Sequence, residues 1–552
     1  MRIDFASPEI EALPECDVVI LGSGAAAFSM ASELIASGNS VLLLEAGNEK
    51  SDQKALSEFY RSAYSGKHPN GYLYRRRMLG GTTSIWGGRC IPYDRSDFEP
   101  TEAGDGSTWP ISYDEVAPFI DKATVWLEAG GDDNTSYQAA HAIADEPAQL
   151  FPCEADSVSL SEIERFSLPQ NSWKSHGARL CDSNKMHIAY NCAARELVAR
   201  NQSGRDYDIK AVSPKGKSVI VHCKTLIIAI GGLETARLLL ASRGSSPRGV
   251  GNEHDLVGRY YQTHLIVDAG ILEIHNKANV YPDYARDPNG VYVRRLIKLS
   301  ETERNSRKLL NLIVRPDIPD VSDPTHSNGI LSSVFIAKRF ILPEYRRRLA
   351  RSESGGAKQL IPHFGNILRS VPTLPMFAIN WTQRRILANR KIPSLFIPGA
   401  LRYPLQIVAE QAPLHRSRVT LDDECDAHGM PRIRIDWQTC EDDVQSIRAS
   451  MGLLEAALAG NPHAELVVDE EDRVKMAKLA PQGGHHIGTT RMGTAPENSV
   501  TDEWGRIWST DNVYVAGAAL FPRSGAANPT LMLVALALRN ARKIANRATK
   551  LG

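Results

Sequence analysis

The first apolar block of the chain, Asp17–Leu21 (DVVIL), shows no alternation of apolar and polar positions. A short unbroken run of this kind predicts a strand buried on both faces, as in a parallel sheet. It ends at Gly22-Ser23-Gly24-Ala25-Ala26-Ala27, and the following FSMASELIASG reads as a helix closed by Gly38. A second apolar run, Val41–Leu44, ends at Glu45. Near the other end, Asn512–Ala518 (NVYVAGA) predicts a strand running into Gly517 and Ala518. The segment LFPRSGAANPTLMLVALALRNARKIANR then predicts a long helix, with Pro529 in its first turn, Asn528 as N-cap, and Arg539 and Arg542 further along. There is no internal repeat and no low-complexity tract.

The order strand, glycine turn, helix, strand, acid carries chemistry. Gly22 allows a tight turn, Gly24 lets backbone approach a pyrophosphate, and Ala27 is small enough to keep helix and strand close. The helix start offers free N–H groups and partial positive charge to phosphates. Glu45, 23 residues after Gly22, stands where a carboxylate accepts bonds from ribose hydroxyls. A ligand-free βαβ unit would leave that acid without a purpose. The motif alone does not separate FAD from NAD.

A second glycine cluster spans Arg75–Arg89 (RRRMLGGTTSIWGGR), where Gly80, Gly81, Gly87 and Gly88 bracket Thr82, Thr83, Ser84 and Trp86. Such a loop brings N–H and hydroxyl groups close to a flat ligand; taken by itself it reads equally well as a surface loop around a buried Trp. Further on, Gly483–Gly493 reads GGHHIGTTRMG. The helix start at Pro529–Thr530 would stabilise negative charge beside Asn528, such as a reduced flavin carries at N1 and C2=O. In isolation that helix reads as a packing element with Asn528 as a plain cap.

Taken together, these motifs resemble the glucose–methanol–choline (GMC) flavoprotein oxidoreductases. The resemblance extends through WPISYDEVAPF (Trp109–Phe119), NCAARELV (Asn191–Val198), TLIIAIGGLETARLLL (Thr225–Leu240), DLVGRYYQTH (Asp255–His264) and SRVTLDDECDAHGMPRIRIDW (Ser417–Trp437). It is weakest over residues 265–410. HHIGTTRMG with GAANPTL looks more like the pyranose oxidase and fructose dehydrogenase branch than the glucose oxidase branch. The resemblance implies an α/β plus α+β fold. A Rossmann-type FAD-binding domain would be assembled from residues 1–110, 180–265 and 470–552. A substrate domain on an antiparallel sheet would take 111–179 and 266–469. Cofactor contacts would fall on Gly22, Ser23, Gly24, Ala25, Ala26, Ala27 and Glu45; on Gly80, Gly81, Thr82, Thr83, Ser84, Trp86 and Gly87; on Ala194 at the adenine side; and on Gly517, Ala518, Pro529 and Thr530. The family's catalytic base falls on His485 and its second site residue on Asn528, while His486 and His264 read as structural. Some relatives attach FAD through a histidine in the glycine-rich loop; Ile85 stands there, so the expected FAD is non-covalent.

Alcohol oxidation removes a proton from oxygen and a hydride from carbon. A histidine, with a reference pKa of about 6.5, suits the first step, and flavin N5 the second. A carboxamide at Asn528 can hold the same hydroxyl. The substrate implied by the branch is a small-molecule alcohol, in particular a secondary hydroxyl of a sugar or glycoside. A hydroxynitrile-lyase-like enzyme with structural FAD, and oxidation of an aryl, polyol or steroid-like alcohol, remain alternatives. The electron acceptor is open between oxygen, a quinone and a protein carrier; an NAD-dependent enzyme would leave the second glycine cluster and the tail without a purpose.

Composition changes this picture little. The 552 residues are 42% hydrophobic and 23% charged, an ordinary globular balance. Lys+Arg and Asp+Glu both number 64, so nothing supports a nucleic-acid partner. The eight cysteines form no CxxC, which fits neither a zinc site nor a disulfide framework and suits a reducing compartment. No run reaches the roughly 18 apolar residues of a membrane span, and the first residues lack a signal-peptide pattern, so a cytoplasmic protein is expected. One local exception is Lys338–Lys391, with 12 Lys/Arg against Glu344 and Glu353. Apolar residues are interleaved there, which suits either a solvated lid or contact with a membrane surface or partner.

Overall fold

The structure, a computed structural model, describes residues 1–51, 53–64, 68–130, 149–168, 171–201, 204–337, 357–397 and 399–551. Part of the basic stretch, residues 338–356, therefore lies outside the described residues. A six-stranded sheet runs in the spatial order Arg2–Asp4, Met186–Tyr190, Val41–Leu44, Val18–Leu21, Thr225–Ile228, Val513–Val515. Every neighbouring pair is parallel. Side chains alternate between two cores: Val19, Leu21, Leu42 and Leu44 enter one, Val18, Ile20, Val41 and Leu43 the other. Burial on both faces is the reason these strands read as unbroken apolar runs. Asp17 stands just outside its strand, its carboxylate accepting from the backbone N–H and hydroxyl of Ser40.

The helix Ala25–Ala36 fills the crossover between Val18–Leu21 and Val41–Leu44, and Gly38 leaves it with φ +94°. It packs against the C-terminal helix Thr530–Leu551, which in turn packs on Tyr113–Trp126. Ser112 and Glu115 cap that last helix reciprocally.

A second, antiparallel sheet has the order Leu312–Pro316, Arg402–Ala409, Leu265–Ile274, Ala464–Val467, with Ala480–Pro481 paired to the start of Leu265–Ile274. Leu265, Val267, Leu312, Val314, Leu405 and Ile407 point into a core shared with Ile447, Met451, Leu454 and Leu458 of helix Glu441–Leu458. On the opposite face of Leu312–Pro316, Ile313 joins the core of the parallel-sheet region and Arg315 shares its side of the strand. That face meets the segment Arg523–Asn528, and the candidate site lies between them.

Candidate active site

The glycine turn is built so that backbone, not side chains, faces outward from the parallel sheet. Gly22 has φ +93°, and a Cβ there would sit 2.6 Å from the Ala229 carbonyl oxygen, so only glycine fits. Gly24, Gly231 and Gly517 follow the carboxyl ends of three adjacent strands, and a Cβ on any of them would meet no protein atom within 4 Å. Backbone thus lies open along the sheet end where open α/β sheets hold their ligands. Glu45 closes the next strand; its carboxylate accepts from Ser23 Oγ at 2.5 Å and from Gly47 N–H at 2.7 Å, and burial pushes its pKa up.

Ser23 joins the two glycine motifs. Its hydroxyl accepts from Gly80 N–H at 3.1 Å, and a Cβ on Gly81 would lie 3.4 Å from Gly24 Cα. Gly81–Ser84 forms a single 3₁₀ turn. Thr83 and Ser84 donate to the carbonyls of Gly80 and Gly81, while Thr82 and Gly87 are exposed. Trp86 packs partly buried on the main core. Cys192 N–H donates to the Glu45 carbonyl at 2.9 Å, which brings the strand bearing Ala194 beside Glu45. Ala25, Ala26 and Ala27 are buried in the first helical turn, and Ala518 opens a short 3₁₀ turn after Gly517. The open backbone, the acid and the glycine loop held against Gly24 fit a dinucleotide.

His485 and Asn528 come together at the other end of this surface. His485 Nε2 lies 3.3 Å from Asn528 Nδ2. On the far side of the ring, His485 Nδ1 lies 2.5 Å from His264 Nδ1, and His264 Nε2 lies 3.0 Å from the Ser524 carbonyl oxygen. These contacts determine where the protons are. A carbonyl only accepts, so His264 carries its proton on Nε2 and offers a lone pair at Nδ1. His485 must then donate from Nδ1, which leaves its Nε2 as an unprotonated lone pair facing Asn528. Burial drops the His264 pKa to about 4. Burial, the neighbouring histidines and the guanidiniums of Arg89 and Arg315 push His485 well below the ordinary histidine value. Both rings are therefore neutral near neutral pH.

Asn528 is gripped from the other side. Arg315 Nη2 donates to its Oδ1 at 3.4 Å, while Arg315 Nε donates to Glu164 at 2.9 Å. Glu164, fully buried, also accepts from Arg294 at 2.8 Å and lies 3.7 Å from Arg89. Burial opposes its ionisation, yet the three guanidiniums hold its pKa down to about 2. Burial pulls Arg315 down to about 10 against the attraction of Glu164. The Arg523–Ser524 backbone is fixed by the Arg523–Glu410 ion pair, at 2.8 and 3.0 Å, and by Gln262 accepting from Ser524 N–H.

The C-terminal helix begins one residue later than its sequence suggests. It spans Thr530–Leu551, and the Pro529 carbonyl accepts from Leu533 N–H at 2.9 Å, so Pro529 holds the cap position. The Asn528 side chain does no capping; it is spent on His485 and Arg315. His486 is turned away from this pair. Its Nδ1 meets Tyr261 Oη at 3.0 Å, and that hydroxyl meets His68 Nε2 at 2.8 Å.

Comparison with known proteins places this arrangement. Residues 413–537, which include both His485 and Asn528, match the family model described as GMC oxidoreductase. Through this region, and through relatives that align along nearly its whole length, the chain is similar to the GMC oxidoreductases. These are flavoproteins, and the enzyme is an oxidoreductase acting on alcohol groups. Paromamine 6'-oxidase of Streptomyces fradiae is 24% identical over 96% of this chain and 91% of its own length. C-glycoside 3-oxidase of Arthrobacter globiformis is 34% identical over 24% of this chain and 25% of its own. Among solved structures, a fungal aryl-alcohol oxidase shares the fold, with a TM-score of 0.56 at 12% identity over 97% of this chain and all of that one.

The likeness to GMC oxidoreductases was legible in the motifs; parts of the site were not. In the sequence His264 reads as structural, and the structure sets it against His485. Glu164, Arg315, Arg523 and Glu410 carried no local signal, because each becomes informative only through a partner more than 100 residues away.

Proposed function

We propose that this oxidoreductase binds FAD non-covalently and oxidises a CH–OH group, a secondary hydroxyl of a sugar or glycoside, with His485 as base and Asn528 orienting the hydroxyl. The sugar assignment rests on the relatives named above and on the tail motifs. The domain assignment goes with it: residues 1–110, 180–265 and 470–552 hold the cofactor, and 111–179 and 266–469 cover the substrate.

The observation that carries the reading is the proton order Ser524–His264–His485–Asn528, which leaves His485 Nε2 unprotonated, its lone pair accepting from the Asn528 amide. A substrate hydroxyl entering there donates to Nε2 and accepts from Asn528 Nδ2, so the two side chains fix the oxygen from two directions. As the hydroxyl proton moves to Nε2, the Nδ1–H bond to His264 keeps the ring from turning. Arg315 holds the Asn528 oxygen, so the amide presents its N–H side to the substrate. Bound FAD supplies the hydride acceptor. Ile85, in place of a linking histidine, supports a dissociable cofactor.

The test is an oxygen-free flavin-bleaching screen over monosaccharides, glycosides, polyols and aryl alcohols. The proposal expects bleaching by a sugar or glycoside. Bleaching by aryl alcohols alone removes the sugar assignment, and a flavin that stays oxidised with every alcohol while a cyanohydrin is cleaved establishes the lyase. Turnover with dichlorophenolindophenol but not with oxygen would identify a dehydrogenase with a quinone or protein acceptor.

A further inference from the structure

The helix Ala357–Ser370 is inside out. Among its described side chains the buried ones are His363 and Asn366. His363 Nδ1 meets Ser332 Oγ at 2.9 Å and its ring stacks on Phe335; Asn366 Nδ2 donates to the Pro324 carbonyl at 2.8 Å. The apolar side chains Leu360, Ile361, Phe364 and Leu368, spaced along one face, are left outside, Ile361 72% and Leu368 73% exposed. Val371, Met376, Ile379, Ile386 and Leu387 continue the apolar surface through Leu374–Trp381 and Thr382–Leu387. This one region holds nine of the 14 large apolar side chains exposed among the described residues. Folding alone selects the opposite orientation, so an apolar face of this extent marks an interaction surface.

Charge identifies the partner. Residues 354–409 contain seven Lys/Arg and not one Asp or Glu, in a chain whose charges balance overall. Arg369 lies within the apolar stretch and Lys391 four residues beyond Leu387, and both are exposed. A second copy of the chain fits poorly, because a two-fold contact would press one acid-free cationic face against its own image. A spanning arrangement has no support, since among the described residues no helix is long and apolar enough to cross a membrane. We infer that the face Leu360–Leu387 docks flat onto an anionic phospholipid surface. The apolar side chains enter the headgroup boundary, and Arg369 and Lys391 face the lipid phosphates. This reading is independent of the proposed redox chemistry.

Flotation of the flavin-loaded protein with vesicles tests it. Binding is expected to vesicles of phosphatidylcholine with phosphatidylglycerol at low salt, and to fall about tenfold or more on phosphatidylcholine alone or at high salt. The double variant Ile361→Asp/Leu368→Asp should lose about tenfold or more in binding to the anionic vesicles, with its flavin spectrum and turnover unchanged. Failure of the wild type to float with anionic vesicles would overturn the inference, as would equal flotation of the variant. A concentration-dependent dimer in size-exclusion chromatography that the double variant abolishes would assign the face to a second copy instead.

Discussion

Replacing His264 with leucine isolates the proton order behind the reactive histidine. His264 is fully buried, and its ring bonds to His485 and to the Ser524 carbonyl rather than to the glycine turn, so the substitution is aimed at the proton order and not at the cofactor cradle. It removes the lone pair that accepts from His485 Nδ1. A buried donor left without an acceptor costs about 1–3 kcal/mol. The ring escapes that cost by moving its proton to Nε2, which removes the base. At about 1.4 kcal/mol per factor of ten, flavin reduction by substrate should slow by about 5- to 150-fold. Substrate affinity should change little, because Asn528 still holds the hydroxyl. His264→Asn places an amide oxygen near the lost Nδ1 and should recover most of the rate. The assay is stopped-flow flavin reduction without oxygen, with the visible flavin spectrum and a thermal melt as controls on folding. A folded His264→Leu variant that reduces its flavin at the wild-type rate would refute the proton order, and so would an asparagine variant no faster than leucine.

Other consequences separate the parts of the site. Gly24→Ala, whose new methyl meets no protein atom within 4 Å, should cost at most about 1 kcal/mol of stability yet yield protein with little bound flavin. Gly22→Ala meets the Ala229 carbonyl at φ +93° and should lose about 2–5 kcal/mol; flavin content and chemical denaturation of the two variants give the comparison. Because the His485 pKa is lowered, its basic form persists below pH 6.5, and the acid limb of kcat/KM should fall below the ordinary histidine range. His68 and His264 are both held near 4 in the folded protein, while the unfolded chain takes up protons from about pH 6.5 downward. Stability should therefore decline between those values, by up to about 1.4 kcal/mol per pH unit for each of the two, readable as a falling urea midpoint.

The parallel sheet and its turn were legible because both depend on neighbours in the chain. Val18–Leu21 is apolar throughout because its two faces enter two cores, and Gly22 is glycine because a carbonyl stands where a Cβ would be. His485 and Asn528 were found through motifs rather than through any local physical signal. Their supporting residues could not be found that way. His264 matters through a ring 221 positions later, and Glu164 through arginines on two other strands. Even the start of the last helix was displaced by tertiary context: Asn528 is a good cap by residue type, but His485 and Arg315 claim its amide. Lys338–Lys391 read only as a basic stretch with interleaved apolar residues, and only the fold shows that helix Ala357–Ser370 turns the polar His363 and Asn366 inward.

The central claim is that His485 takes the hydroxyl proton while the cofactor takes the hydride. Purified His485→Ala, mixed without oxygen with an alcohol that bleaches the wild type, gives the most direct answer. The account predicts a yellow protein with wild-type flavin content whose visible absorbance stays essentially constant after mixing. Bleaching at the wild-type rate would contradict it.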